Sequence, residues 1–383
     1  MKRIEALGET RLDYIDNLRW AMIILVVGMH AAVTYSHLGS WYWKAPENPG
    51  PLTTLLMAVF QVHLQGFFMG FMFLLAGYFV PAAYDRKGFG RFLWDRTLRL
   101  GVPALAYMLL VHPLTGFYLL HWYDEGTDLP TAYRGFVTSH YVLSASGPMW
   151  FALALLFFCA VYAAIRRISG ASFGVAAPSR PGLGALTALG LAIAAIAWVV
   201  RIDWPIGTSW FNMQFCYFAQ YVVLFAVGTQ AFRRGWFATL SRRLGMGLFW
   251  GALILSPIGM AALIGLDPDP AATIHGIAGG GNLPSALFAL WESLFCVAMS
   301  AGVLVLFREK VNFAGPWFKR FSGSSFGVYM MHMPVLVGVT LAMQSSALPP
   351  LAKFAIAWPA ATVLTFGLVH LGLKRIPGVK KFL

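Results

Sequence analysis

The chain has 383 residues, of which 58% are hydrophobic and only 11% charged, with a mean hydropathy of +0.67. Soluble domains carry roughly 25% charged residues, so that class is excluded, and long continuous apolar runs without two-residue alternation exclude an outer-membrane barrel. The net charge of +13 does not indicate nucleic acid, because Lys and Arg cluster between the apolar runs, where membrane orientation already requires them.

Ten segments reach the roughly 17–25 apolar residues that a bilayer crossing needs. They run near 18–38, 53–80, 99–120, 147–166, 183–201, 210–232, 244–265, 284–307, 324–343 and 353–373. The predicted fold class is all-α, a polytopic membrane helical bundle forming one domain over 1–383, with short tails at 1–17 and 374–383. Arg3 and Arg11 precede the first segment as in a signal peptide, but its apolar length of about 20 residues exceeds a cleavable core and reads as a retained anchor. Basic residues follow every even-numbered segment. They include Arg86, Lys87 and Arg91 after the second, Arg166 and Arg167 after the fourth, Arg233 and Arg234 after the sixth, Arg308 and Lys310 after the eighth, and Lys374 and Arg375 after the tenth. The opposite loops, such as Asp124 to Asp128 and Asp267 to Asp269, are poor in Lys and Arg. By the positive-inside rule both termini are cytoplasmic, in a multi-pass protein of the cytoplasmic (inner) membrane. The stretch from Ser36 to Thr53 then faces outward, where Trp41, Tyr42 and Trp43 fit an interfacial belt that needs no ligand. Gly279-Gly280-Gly281-Asn282 lacks a preceding strand and a phosphate-loop Lys-Ser/Thr pair, and reads as a mobile external loop. Cys159, Cys216 and Cys296 lie in apolar segments without ligand spacing, so they read as core residues, with no metal and no resident cofactor expected.

Ionisable residues inside these segments are the candidate chemistry, because a charge at membrane depth is costly and faces an interior or a wet cavity. Arg19 and His30 are eleven residues apart. At about 100° per residue they leave one helix face, offset by about 20°, with His30 roughly 16 Å deeper. Imidazole titrates near neutrality, so His30 suits proton acceptance or acyl holding; the alternative is a histidine satisfied by packing and a carbonyl. Snorkelling explains Arg19 equally well, and Asp16 three residues earlier is placed to pair with it. Gln61, His63 and Gln65, with His63 about 15 Å below the outer end, offer hydrogen bonds to a polar acceptor or serve as interhelical glue. Arg96 and Arg99 enter the third segment and suit phosphate binding, although orientation alone puts basic residues there. Trp150 reads first as core and second as the wall of a sugar or acyl path. Glu292, roughly 12 Å below the outer end of the eighth segment, either orients the imidazole as in a triad or pairs with a structural arginine. Gly323 to Gly327 matches the hydrolase pattern G-x-S-x-G, but it opens a membrane helix where that chemistry needs a strand and a sharp elbow. His332, about 12 Å from the inner end of the ninth segment, reads as a packing or donor-channel residue rather than a second base.

Several longer motifs occur in one order. They are Ile15-Asp16-Asn17-Leu18-Arg19 continuing to His30, the Gly66 to Phe79 stretch ending Leu-Leu-Ala-Gly-Tyr-Phe, Arg96-x-x-Arg99 followed by Leu-Gly-Val-Pro, Gly147-Pro-Met-Trp-Phe, and Ser325-Phe-Gly-Val-Tyr-Met-Met-His332-Met-Pro334. In these the chain resembles the acyltransferase-3 family of integral membrane acyltransferases, over the first four segments and the ninth. The resemblance implies an acyl-CoA donor and ties activity to an Arg-x10-His and an Arg-x-x-Arg element, which map onto Arg19 with His30 and Arg96 with Arg99. Val62-His63, and a chain without an appended soluble domain, look more like the branch that modifies periplasmic glucans, for example by succinylation, than the branch fused to a hydrolase-like domain.

The expected function is O-acyl transfer from cytoplasmic acyl-CoA to a hydroxyl of an extracytoplasmic glycan or other carbohydrate. His30, Arg19 and Glu292 are then catalytic, Arg96, Arg99, Asp16 and His332 donor-binding, and His63, Gln61, Gln65 and Trp150 acceptor-binding. The rival is a secondary transporter with Arg19, His30 and Glu292 as a relay, although neither duplicated halves nor paired broken helices are evident. A third reading is a non-catalytic membrane subunit that binds lipid or a partner.

Overall fold

Ten long apolar helices stand where the hydropathy pattern places ten crossings in the computed structural model, which describes residues 12–122, 126–170, 179–266 and 270–379. They are α1 (Asp13–Ser36), α2 (Gly50–Lys87), α3 (Phe89–Tyr118), α4 (Gly147–Ser169), α5 (Leu183–Asp203), α6 (Phe215–Arg234), α7 (Arg242–Ile264), α8 (Leu283–Lys310), α9 (Pro316–Ala342) and α10 (Pro350–Arg375). Among the described residues extended pairing is limited to an isolated bridge between Trp210 and Met213. A backbone in hydrocarbon must satisfy its own hydrogen bonds, and a helical bundle does so segment by segment. Of the predicted tails, residues 1–11 and 380–383 lie outside the described residues, and α1 already begins at Asp13.

Contacts between helix ends put the basic loops together. Arg166 at the end of α4 bonds Asp85 near the end of α2 at 2.7 Å. Arg308 near the end of α8 donates to the carbonyls of Phe237 and Leu240, after α6, at 2.9 and 2.8 Å. Asn17 at the start of α1 donates to Val311 and Phe313, after α8, at 2.7 and 3.0 Å, and Lys374 near the end of α10 donates to the Gly323 carbonyl of α9. These ties define a basic end of the bundle. Ties also form at the other end, where Lys353 at the start of α10 meets Glu47 of the α1–α2 loop at 2.5 Å.

Small residues let the helices approach. A Cβ on Gly77 of α2 would overlap the Phe225 carbonyl of α6, and one on Gly228 of α6 would overlap the Leu74 carbonyl of α2. The two backbones therefore touch, which is the usual way membrane helices gain packing without a hydrophobic driving force between them. At Gly28 the indole of Trp358 lies directly on α1 and donates to the Ile24 carbonyl at 2.9 Å.

Irregularities fall near the candidate residues. α2 is interrupted at Gly66 and Phe67, between helical stretches Gly50–Gln65 and Phe68–Lys87. α3 contains two π-helical turns, Thr97–Gly101 and Tyr107–Val111, each just ahead of a proline, Pro103 and Pro113. Proline cannot donate to the carbonyl four residues back, and one extra residue per turn relieves its clash with that carbonyl. α9 starts at Pro316, earlier than the predicted 324, with proline at the first helical positions where its missing N–H costs nothing.

The Gly279–Asn282 stretch differs from its expectation of a free loop. Gly280 N–H reaches the Arg201 carbonyl at 3.3 Å, Ile206 N–H reaches the Ala278 carbonyl at 2.7 Å, and a Cβ on Gly279 would sit 2.5 Å from the Arg201 oxygen. Asn282 then caps α8 by accepting from Ser285 N–H at 2.8 Å. Gly279 allows the close backbone approach, while Gly280 and Gly281 adopt φ 89° and 71°, which glycine takes without strain. Ser325 lies within α9, its hydroxyl donating to the Phe321 carbonyl at 3.0 Å, so no nucleophile elbow forms.

Candidate active site

His30 projects from α1 into a stack of rings. The Trp41 indole lies 3.8 Å from it, centroid to centroid, at an interplanar angle of 11°. The His332 ring of α9 lies 5.3 Å from it at 14°. His332 is fully buried, and its Nδ1 sits 2.7 Å from the Tyr329 carbonyl one turn earlier. A carbonyl only accepts, so that nitrogen carries the hydrogen, and Nε2 of the neutral ring is a bare acceptor. This Nε2 has no protein partner, and neither have the equally buried His30 Nδ1, Trp41 Nε1 and Tyr329 hydroxyl. Buried polar atoms are bonded in the great majority of cases, so four orphans on contiguous rings mark a place built for another molecule's polar groups.

The expected depth of His332 is therefore corrected. Because α9 begins at Pro316, His332 lies about 24 Å along it from the basic end, twice the expected depth, and stacks on His30. The loop after α1 also departs from its reading as a plain interfacial belt, since it folds inward over the imidazoles. His37, in a left-handed conformation with φ 62°, ends α1, Ala45 N–H returns to the Thr34 carbonyl at 3.0 Å, and the His37 ring bonds the Ala45 carbonyl at 2.6 Å. The Tyr42 hydroxyl lies 3.1 Å from the Tyr107 hydroxyl and 2.9 Å from His112 Nδ1, both of α3. Burial in this nest pushes the Tyr42 phenol above its ordinary range, which keeps it a neutral hydrogen-bonding group. Both hydroxyls approach Gly147, at φ 46°, so closely that a Cβ there would collide with them. That is the physical reason for glycine in the Gly147-Pro-Met-Trp-Phe motif.

Below the imidazoles, toward the basic end, Arg19 Nη1 bonds Asp16 at 3.3 Å and its guanidinium lies 4.6 Å from the Phe79 ring centroid. Arg96, over the Phe92 ring at 5.2 Å, is near enough for its charge to act on Arg19. Two like charges held together, with the Arg96 Nε buried and unpartnered, suit an anion. Arg99 is two-thirds exposed and paired with Asp95 at 3.3 Å, a carboxylate it shares with Lys87 at 2.8 Å.

The four acceptor candidates do not converge on one tunnel. Gln61 donates to the Ser36 hydroxyl at 2.7 Å and so braces the end of α1. His63 faces α8, its Nδ1 bonded to the Val59 carbonyl at 2.8 Å, its Nε2 buried without a protein partner and its ring edge-on to Trp291 and Phe295. Gln65 and Trp150 each lie against Tyr221 of α6, Gln65 through a side-chain hydrogen bond and Trp150 ring to ring at 5.6 Å. Glu292 resolves its two readings. It forms an ion pair with Arg201 of α5, both fully buried, and is not the group that orients His30. A carboxylate at that depth needs a countercharge, and α5 supplies one that no motif had indicated.

Tyr42, Tyr107, His112 and Tyr329 were not expected at the site. The only sequence signal for them is Tyr329, one turn before His332, where a ring on the same helix face was foreseeable. Among the described residues no group of three or more His, Cys, Asp or Glu is arranged to hold a metal.

The arrangement has an imidazole pair at depth, a paired-arginine mouth on the same helix face, and an inward-folded loop at the opposite end. Compared with known families, residues 12–371 match the model described as an acyltransferase domain. The chain belongs to the acyltransferase-3 family. This acyltransferase match spans all ten helices, which extends the resemblance seen in the motifs to nearly the whole chain. Neither the curated proteins nor the solved structures gave a match.

Proposed function

We propose that this membrane acyltransferase moves an acyl group from acyl-CoA, bound at the basic end, to a hydroxyl of a carbohydrate acceptor that approaches from the opposite end. The observation that carries the reading is the His30 stack with its unpartnered nitrogens, placed roughly 16 Å along α1 from Arg19. A pantetheine arm is of that order of length, so CoA phosphates at Arg19 and Arg96 would put the thioester beside His30. His30 then acts as base toward the acceptor hydroxyl or carries the acyl group between donor and acceptor. In either case the acceptor loses a proton, its oxygen bonds the acyl carbon, the carbon–sulfur bond breaks, and the thiolate of CoA takes up a proton. The rings around His30 exclude water, which limits loss of the thioester to hydrolysis.

The positive-inside bias puts the basic end in the cytoplasm, where acyl-CoA is found, and the cytoplasmic membrane is the matching location. The acceptor class rests on the resemblance to glucan-modifying relatives and on the aromatic rings around the site, since ring faces suit sugar C–H surfaces. A transporter relay loses one of its three groups, because Glu292 is engaged with Arg201. The test uses proteoliposomes of the full chain, radiolabelled acetyl- or succinyl-CoA outside or inside, and a linear glucan on the opposite side. Label in glucan ester supports the reading; movement of unmodified glucan without ester overturns it.

A further inference from the structure

His30 carries the family motif, yet the protein orients the other imidazole. A general base in triad-like chemistry has its distal N–H bonded to an acceptor, which fixes the tautomer and aims the bare nitrogen at the reacting proton. His332 meets this description through the 2.7 Å bond between Nδ1 and the Tyr329 carbonyl, full burial, and an Nε2 with no partner. His30 does not, because its Nδ1 is itself unpartnered and no bond selects its tautomer. The two rings are stacked nearly parallel at 5.3 Å, so they do not hydrogen-bond each other edge to edge, and each offers nitrogen to a third group. Around them stand Trp41 from the α1–α2 loop, Tyr329 on α9 itself, and Tyr107 of α3 close to Tyr329.

We infer that Nε2 of His332 is the atom that takes the acceptor's hydroxyl proton, which leaves His30 as the group facing the thioester. The inference rests on the acyl-transfer reading and assigns the base within it. The balance is complete without a further reactant. The acceptor O–H bond breaks toward His332 Nε2, the oxygen bonds the acyl carbon, the carbon–sulfur bond breaks, and the proton passes from His332 to the departing thiolate. The Trp41 N–H, unpartnered and on a ring whose centroid lies 6.2 Å from that of His332, is free to bond other polar atoms of acceptor or donor.

The experiment compares His332→Ala, His332→Asn and His30→Ala in the same proteoliposomes, with acetyl-CoA and a linear glucan as probes, with and without added imidazole. Thermal unfolding of each variant in detergent checks folding. His332→Ala is expected to lower ester formation about 100-fold or more at an unchanged donor KM, and free imidazole to restore part of it by entering the vacated space. His332→Asn keeps the shape but accepts no proton, so it stays inactive while folded, and imidazole does not help. A folded His332→Asn protein with the wild-type rate overturns the assignment, as does rescue of His30→Ala with none of His332→Ala. No ester from wild type overturns acyl transfer itself, whereas wild-type ester with an indifferent His332 overturns only the choice of base.

Discussion

Two buried polar corners of this bundle solve opposite problems. At one, Arg201 and Glu292 bring two full charges into the interior and point them at each other; Arg201 also donates to the Cys216 carbonyl at 3.3 Å and lies 5.5 and 5.3 Å from the Tyr217 and Phe288 rings. At the other, His30 and His332 bring groups that are neutral in their unprotonated form and leave their nitrogens without partners. The ion pair ties α5 to α8 and gives each charge a partner, although Arg201 Nη1 is left unbonded. Open imidazoles under an indole have no such structural payoff, since a buried polar atom left unbonded costs about 1–3 kcal/mol. The contrast teaches that depth and polarity alone do not identify chemistry; whether each charge already has a countercharge has to be traced as well.

The sharpest way to break this comparison is to delete each corner. His30→Ala should lower acyl transfer by about 100- to 10,000-fold with little change in thermal unfolding, read by ester formation and unfolding in detergent. Persisting transfer would reduce the stack to packing. Glu292→Gln or Arg201→Met alone should destabilise by roughly 3–5 kcal/mol, because one charge is left buried without its partner, while the double variant Arg201→Met with Glu292→Leu recovers most of the loss. Transfer per folded molecule should survive in the double variant; its disappearance would move this pair into the reaction. Removal of Arg96 or Arg19 should raise the donor KM about tenfold, equal to about 1.4 kcal/mol each. Arg99→Ala should do less, since that side chain is mostly exposed and already paired with Asp95.

The smallest effect concerns the loop over the imidazoles. The hydrogen bond and charge of Lys353 hold the Glu47 carboxyl below its ordinary range. The tie is therefore whole at neutral pH and throughout the range above the free carboxylate value of about 4.3, and it is lost only as pH falls through the depressed value, where the carboxyl protonates. Protease cutting within residues 37–49 should stay slow at pH 5 to 7 and speed up only in stronger acid, with Glu47→Gln cut faster at all of these pH values. Equal cutting of wild type and variant would show that Ala45 and His37, not the ion pair, hold the loop.

Much of this architecture was readable from sequence because lipid imposes it. Ten apolar runs became ten helices, and the alternation of charged loops became one basic end, since both are set by composition at the scale of whole segments. The Asp16–Arg19 pair was also readable, being three residues apart on one helix. Partner choice between helices was not. Nothing in the spacing of Glu292 says that Arg201, 91 residues away, will be opposite it. Nor does Trp41-Tyr42-Trp43 announce that its loop folds inward, because the same aromatics suit an interface. The depth of His332 differs from the sequence expectation by two turns, since hydropathy marks where apolar character starts, and α9 begins earlier with Pro-Trp-Phe-Lys-Arg.

The rings that meet at the site come from the two ends of the chain, α1 and α9, and α10 seals them through Trp358 on Gly28. During synthesis at about 5–20 residues per second, His30 is made roughly 15–60 s before His332. For that interval the first helix has α2 beside it but not α9 or α10, and any polypeptide released before the ninth helix lacks the second imidazole altogether. Under the proposed assignment an incomplete chain lacks its base, and the last fifth of the message is what completes the site.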